Sequence, residues 1–299
     1  MNHIQRIARG VSLRARTRQL SLVLALFAGA ATPALRAAEP VASEKHRFVA
    51  EPVVEGLDRP WGMVRLPDGR LLITERPGRL RVFADGVLSP DPVRGVPEVY
   101  ARGQGGLLDI ELHPKFAENG WIYLSYSGVE NGKGHTRILR GRLKEGALVD
   151  QEILFSPPAS EFAGGGVHFG SRIEFSRSGH LYFSVGERGN MKQAQDLATA
   201  GGKVHRLNDD GSVPADNPFA DRPGAARSIW SYGNRNIQGL RFHAVTGDLW
   251  AVEHGPRGGD ELNVIAKGKN YGWPVITYGI NYNGTPITDK TEAPGMEQP

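Results

Sequence analysis

Ser178-Gly179, followed by His180-Leu181-Tyr182-Phe183-Ser184-Val185, reads as a tight turn that opens a β-strand. The glycine supplies the positive φ that such turns need, and the apolar, aromatic and β-branched residues behind it suit a buried sheet. The same phrase recurs three times. Asp68-Gly69 precedes Arg70-Leu71-Leu72-Ile73-Thr74-Glu75, and Asn119-Gly120 precedes Trp121-Ile122-Tyr123-Leu124-Ser125-Tyr126. Thr246-Gly247 precedes Asp248-Leu249-Trp250-Ala251-Val252-Glu253. The four glycines lie 51, 59 and 68 residues apart. Such intervals fit four-stranded blades with insertions on one face and favour a β-propeller, although a β-sandwich would show the same hairpins. Helical periodicity is nearly absent, with one short turn expected around residues 193–200.

Composition agrees with an all-β chain. The 299 residues hold 39 Gly and 20 Pro with 39% hydrophobic residues, which is turn-rich yet apolar enough for a packed core. There is no cysteine, which excludes disulfides, thiolate metal sites and cysteine nucleophiles together. Residues 1–18 are Arg-rich, residues 20–31 are apolar, and Ala34-Leu35-Arg36-Ala37-Ala38 offers small residues for cleavage. This pattern predicts a signal peptide over residues 1–37 and a mature chain over 38–299. Arg14, Arg16 and Arg18 alternate rather than pair, so the general secretory route to the periplasm is expected. The apolar run is short for a bilayer span, so no stable membrane insertion is expected after cleavage, with a retained anchor or an amphipathic helix as the competing reading. The net charge of +4 includes six leader arginines, and without them the mature part is at about −2. Nothing in that balance calls for nucleic acid.

Three segments combine glycine with rare polar residues. In Arg102-Gly103-Gln104-Gly105-Gly106-Leu107-Leu108-Asp109 a carboxamide sits among glycines that let backbone approach a ligand closely; a β-bulge before the strand 108–112 would use the same residues. In Gly164-Gly165-Gly166-Val167-His168-Phe169-Gly170-Ser171-Arg172 an imidazole stands at a loop–strand junction, suited to proton abstraction near neutral pH or to a structural hydrogen bond. His113 and His180 read as structural by comparison. The third segment runs Ser231-Tyr232-Gly233-Asn234-Arg235-Asn236-Ile237-Gln238-Gly239-Leu240 and then Glu253-His254-Gly255-Pro256-Arg257-Gly258-Gly259-Asp260-Glu261-Leu262-Asn263. Arg235 offers a fixed fork for carboxylate or quinone oxygens. Carbonyls around Gly255-Pro256 with nearby carboxylates are hard donors appropriate to Ca²⁺, in a loop whose spacing is not that of an EF-hand. A charged, solvated loop is the bland alternative.

These segments, with Gly268-Lys269-Asn270-Tyr271-Gly272-Trp273-Pro274, resemble the soluble PQQ-dependent sugar dehydrogenases (the glucose/sorbosone dehydrogenase family), and within them the periplasmic aldose sugar dehydrogenases. Asp58-Arg59-Pro60-Trp61-Gly62-Met63 and Ala194-Gln195-Asp196-Leu197 continue the likeness, which covers residues 48–299. The resemblance implies a six-bladed propeller holding pyrroloquinoline quinone and Ca²⁺ at its mouth. His168 would be the base that takes the proton of the anomeric hydroxyl, with hydride passing from C1 to the quinone and a lactone as product. Gln104, Arg235 and Asn236 match residues lining cofactor and substrate, and Arg235 would be catalytic with His168, a fixed cation stabilising negative charge that develops on a quinone oxygen. The carbonyls of Gly255 and Pro256 match those that bind the cofactor's Ca²⁺, and Glu261 with the carbonyl of Tyr271 would serve a second, structural Ca²⁺. An aldose sugar and an unidentified electron acceptor are the partners implied.

Two departures from the family pattern matter. The glucose-specific branch has an Asp before the histidine, and here Val167 stands there, so the group that holds the imidazole tautomer has to be found elsewhere. The chain ends at Glu297-Gln298-Pro299, short of the family's usual end. The expectation is therefore an incomplete propeller of about five blades, lacking its C-terminal blade, that folds poorly or binds the quinone weakly. A Ca²⁺-dependent propeller lactonase and a catalytically silent, exported ligand-binding propeller are the alternatives.

Overall fold

A strand that is apolar on both faces needs a neighbouring sheet on each side, and the glycine-led motifs are of that kind. A computed structural model describes residues 39–299, so the expected signal peptide lies outside the described residues. The chain divides into two units, Met1–Glu51 and Pro52–Pro299. In the first, β1 (Val41–Ala42) and β2 (Arg47–Phe48) pair as a small antiparallel hairpin.

The second unit is four antiparallel meanders. The first sheet comprises β3 (Pro60–Arg65), β4 (Leu71–Glu75), β5 (Arg79–Ala84) and β6 (Val87–Leu88). The second comprises β7 (Leu107–Leu112), β8 (Trp121–Glu130), β9 (Lys133–Lys144) and β10 (Ala147–Phe155). The third comprises β11 (Ile173–Phe175), β12 (Leu181–Val185), β13 (Lys203–Leu207) and β14 (Ile229–Tyr232), and the fourth β15 (Ile237–Phe242), β16 (Leu249–Glu253) and β17 (Glu261–Ile265). Each glycine-led motif is the second strand of its sheet. Gly69, Gly120, Gly179 and Gly247 all have positive φ, as the turn chemistry demands. The short turn expected near residues 193–200 is a 3₁₀ helix at Met191–Gln195.

Period-two alternation builds three cores rather than one. On β8, Ile122 and Leu124 pack toward the first sheet with Leu72 and Leu80, whereas Trp121 and Tyr123 pack toward the third with Ile173 and Phe183. On β12, Leu181, Phe183 and Val185 face the second sheet and Tyr182 faces the fourth, beside Leu240 and Leu249. Sheets stacked in this order, with β8 and β12 sandwiched between neighbouring sheets, make a propeller arrangement.

A hydroxyl at the same place in three motifs joins one sheet to the next. Thr74 Oγ1 donates to the Leu108 carbonyl at 2.5 Å, Ser125 Oγ to that of Ser171 at 2.5 Å, and Ser184 Oγ to that of Ile237 at 2.9 Å. In these three motifs the fifth residue after the turn glycine is thus a latch onto the innermost strand of the following sheet, or onto the residues that lead into it. In the fourth motif the position is Val252, 52% exposed, on an outer face it shares with exposed Trp250, Leu262 and Val264.

Near the axis, buried Asp109 on β7 accepts the Ile173 N–H at 2.8 Å and an Arg172 guanidinium N–H at 2.7 Å. Burial pushes its carboxyl up, and the Arg172 charge opposes that shift. Removing the carboxylate strands a cation and an amide together. Asp109→Ala is therefore expected to lose about 3 kcal/mol of stability, read as a lower urea midpoint at unchanged slope. An unchanged midpoint would show that the pair does not hold the second and third sheets together.

The propeller expected from the sequence is found, with a different count: the described residues of the second unit form four sheets rather than about five. Beyond Ile265 the backbone makes isolated bridges, Tyr232 with Asn270 and Arg257 with Ile280, instead of a further sheet. Pro274, Pro286 and Pro294 lack the N–H a ladder needs, and they break this stretch into turns.

Candidate active site

Close backbone approach brings distant segments to one mouth. A Cβ on Gly103 would lie 2.2 Å from the Gly166 carbonyl oxygen, and one on Gly186 would lie 2.3 Å from that of His168. Only glycine fits at either place. The first contact sets the Gln104 loop against the His168 loop, and the second sets the loop after β12 against His168 and Asn236. The result is a pocket of about 410 Å³ whose wall includes Gln104, His168, Arg235, Asn236, Gly255 and Pro256. Six of the residues singled out from sequence thus share one cavity. Glu261 and Tyr271 do not line it: Glu261 begins β17, and Tyr271 is buried in the core beneath the fourth sheet.

His168 is held from several directions. Its N–H donates to Gln104 Oε1 at 2.8 Å, and its Nδ1 meets Glu187 Oε1 at 2.5 Å. Its backbone is left-handed, with φ of 52°. Glu187 is fully buried, and its own N–H donates to the Arg235 carbonyl at 3.0 Å. A carboxylate on Nδ1 places the ring proton there and leaves Nε2 as the unprotonated nitrogen available to the pocket. Glu187 is the partner that Val167 does not supply. The sequence shows it only as a carboxylate in a Gly-rich loop, 19 residues beyond His168.

The two carboxamides are oriented by what their oxygens accept. Gln104 Oε1 takes the His168 N–H, and Asn236 Oδ1 takes the Gly170 N–H at 3.0 Å. Both NH₂ groups are left as donors, and Asn236 Nδ2 is buried in the pocket wall without a partner among the described residues. Arg235 donates to the His254 carbonyl at 2.9 Å and lies 5.4 Å from the Trp273 ring centroid, while its N–H meets Glu253 Oε1. Burial and the neighbouring Glu261 carboxylate push Glu253 up to about 8. Arg76, Trp61, Gln238, His254 and Tyr282 also line the pocket and were not singled out from sequence as site residues. Arg76 adds a second cation, and its arginine followed by turn residues carries no motif that would have marked it.

The pocket is therefore a set of fixed donors and two guanidinium groups around an oriented imidazole, with one carboxylate, Asp260, occupied by the Gly255 N–H. Such a wall suits an anionic, carbonyl-bearing ligand. Residues 57–299 match the family model described as glucose/sorbosone dehydrogenase. The chain belongs to the glucose/sorbosone dehydrogenase family. The aldose sugar dehydrogenase YliI of Escherichia coli K12 is 46% identical over 255 residues, covering 83% of this chain and 68% of that protein. The apo-form crystal structure of the soluble aldose sugar dehydrogenase from Escherichia coli matches with a TM-score of 0.78 at 46% identity, over 81% of this chain and 71% of that one. The PQQ-bound aldose sugar dehydrogenase from Streptomyces coelicolor matches with a TM-score of 0.67 at 32% identity, over 84% and 70% of the two chains. In this chain the pocket lies where β16 ends in the Gly-rich loop 254–259, beside His168.

The Gln104 segment illustrates why one stretch supports two readings. The pairing of β7 with β8 slips between Leu107 and Ile110, so the bulge considered from sequence is present just after the loop that delivers Gln104 to the pocket. The bulge turns the strand, and the turn aims the loop.

Proposed function

We propose that this chain oxidises aldose sugars at C1 to the corresponding lactones, with pyrroloquinoline quinone as its cofactor and His168 as the base. The observation that carries the reading is the Glu187–His168 pair at 2.5 Å in the same wall as Gln104, Arg235 and Asn236. The PQQ-bound relative supports the cofactor. When bound, the quinone supplies a two-electron centre that accepts hydride.

The chain's own residues do the rest. His168 Nε2 takes the proton of the C1 hydroxyl, and the Glu187 carboxylate steadies the imidazolium that results. The free NH₂ groups of Gln104 and Asn236 donate to ligand oxygens, and Arg235 and Arg76 oppose anionic charge. The carbonyls of Gly255 and Pro256 accept no hydrogen bond from the described residues, which suits them to Ca²⁺. Gly255 N–H is held by Asp260 Oδ1 at 2.8 Å, which keeps that turn closed. Glu261 is assigned with the Tyr271 carbonyl to a second Ca²⁺, and the buried Asn263 Oδ1, unpartnered beside Glu261, adds an oxygen on that side. Electrons would leave to an external acceptor, and the Arg-rich leader supports export to the periplasm. Among the described residues no helix is long and apolar enough to cross a membrane.

A propeller lactonase needs several carboxylate or amide side chains on one central cation. Among the described residues no three His, Asp or Glu side chains converge. The test is spectroscopic. Protein loaded with PQQ and Ca²⁺ is expected to change its quinone absorbance on addition of an aldose, with stoichiometric lactone formation. A bound quinone whose spectrum ignores every aldose offered would overturn the proposal in favour of a silent binder.

A further inference from the structure

Three consecutive glycines lead into His168, and such a run is the costliest kind of chain to order, at about 1–2 kcal/mol per residue. Among the described residues nothing packs where a Cβ would sit on Gly164 or Gly165. Side-chain packing therefore does not fix this segment; its backbone carbonyls do. The Gly164 carbonyl takes Tyr100 Oη–H at 2.6 Å, and that of Gly166 takes the Gln104 N–H at 2.6 Å. The two alternate carbonyls, of Gly165 and Val167, both go to the guanidinium of Arg188, the first at 2.6 Å.

Arg188 is 4% exposed, and among the described residues its charge is opposed by no salt bridge. Its remaining donors reach the Gly134 carbonyl at 3.2 and 3.4 Å, and its guanidinium carbon lies 3.5 Å from the Phe169 ring centroid. Its backbone N–H donates to the His168 carbonyl at 3.3 Å. Burial lowers it to about 10, so it is still a cation at neutral pH. A buried cation spent wholly on carbonyls of one glycine loop and its neighbour has no use in an ion-pair network. It is directed at the chain on both sides of His168.

We infer that Arg188 is a positioning residue: its fork holds the Gly165 and Val167 carbonyls and so keeps His168 in its left-handed backbone conformation, with the ring against Glu187. The inference rests on His168 being the base and adds how that base is kept in place. The planar fork is what the role requires, because it meets two carbonyls at fixed separation, whereas an ammonium is a point donor. A mere space-filling role over Phe169 makes a different prediction, since a long apolar side chain would satisfy it.

The test compares Arg188→Lys and Arg188→Met with the parent protein. Amide hydrogen exchange on the cofactor-free proteins is followed in peptides covering residues 162–169 and, as a reference, in β8 and β12. Exchange in the 162–169 peptide is expected to quicken about tenfold or more in both variants, with the reference strands unchanged. After loading with PQQ and Ca²⁺, kcat is expected to fall about 100-fold, with KM for the aldose within about twofold. Added methylguanidine is expected to restore part of kcat in Arg188→Ala. Parent-like loop exchange in Arg188→Lys, or in Arg188→Met, would overturn the inference. So would exchange rising equally in the reference strands, which would mean a general loss of stability. The exchange readout needs no cofactor, so it stands even if the parent protein shows no sugar oxidation, which would sink the proposed function instead.

Discussion

His168→Ala is expected to lower aldose-dependent reduction of the bound quinone by about 10²–10⁴-fold while leaving quinone affinity near that of the parent. Among the described residues, the His168 imidazole is the pocket-wall ring whose Nδ1 is engaged by a buried carboxylate, which leaves Nε2 to accept a proton. The cofactor's assigned contacts, Gln104, Arg235 and Asn236, are separate side chains. One complication is conformational. Residue 168 has φ of 52°, a region that costs alanine about 1–2 kcal/mol and that asparagine tolerates better. His168→Asn is therefore the companion variant. Both are expected to lose the proton-transfer step, and only the alanine variant should also be less stable. If His168→Asn turns over within about tenfold of the parent, proton transfer by this side chain is not the step that limits the reaction.

Glu187→Gln is expected to cost about as much, roughly 10²–10⁴-fold in kcat, although Glu187 touches no substrate. The reason lies in the unequal surroundings of its two oxygens. Oε1 meets His168 Nδ1, and Oε2 is buried with no hydrogen-bond partner among the described residues. A carboxamide must put its NH₂ group at one of those places. An NH₂ at the Oε2 position would be a buried donor without an acceptor, at a cost of about 1–3 kcal/mol. It turns instead toward Nδ1, which then accepts, and the ring proton moves to Nε2. The base is lost with its geometry intact. Steady-state kinetics and the quinone spectrum check this; a kcat within about twofold of the parent would show that the carboxylate does not select the tautomer. Glu187→Asp keeps the charge but shortens the reach, so it should recover part of the activity that the glutamine loses.

The strands were easy to read because their signals are local. A glycine at positive φ and five alternating residues behind it need no distant partner to be recognised, and all four motifs became second strands. The latch residues Thr74, Ser125 and Ser184 were in plain view within those motifs, yet nothing local says that each hydroxyl is aimed at the next sheet. The sheet count was harder. Residues 266–299 have apolar and aromatic residues in strand-like number, and only their tertiary setting shows them spent on turns and single bridges.

The site divides in the same way. The segments that hold Gln104, His168, Arg235 and Asn236 were legible because each sets rare polar residues among glycines, and the family resemblance picked out the individual residues, with the carbonyls of Gly255 and Pro256. Arg76 and Glu187 were not, since an arginine or a glutamate after a strand is ordinarily a solvated residue. The sequence by itself determined the all-β architecture, the family and the chemical kinds of group at the mouth, because these rest on spacing and on motifs read within a few residues. The tertiary structure alone decided which carboxylate faces which imidazole nitrogen, which end of each carboxamide is free, and where the buried arginine is spent. Those depend on close approaches between loops far apart in the chain, where a Cβ on Gly103 or Gly186 would collide with the carbonyl of Gly166 or His168, and no local pattern encodes a contact of that kind.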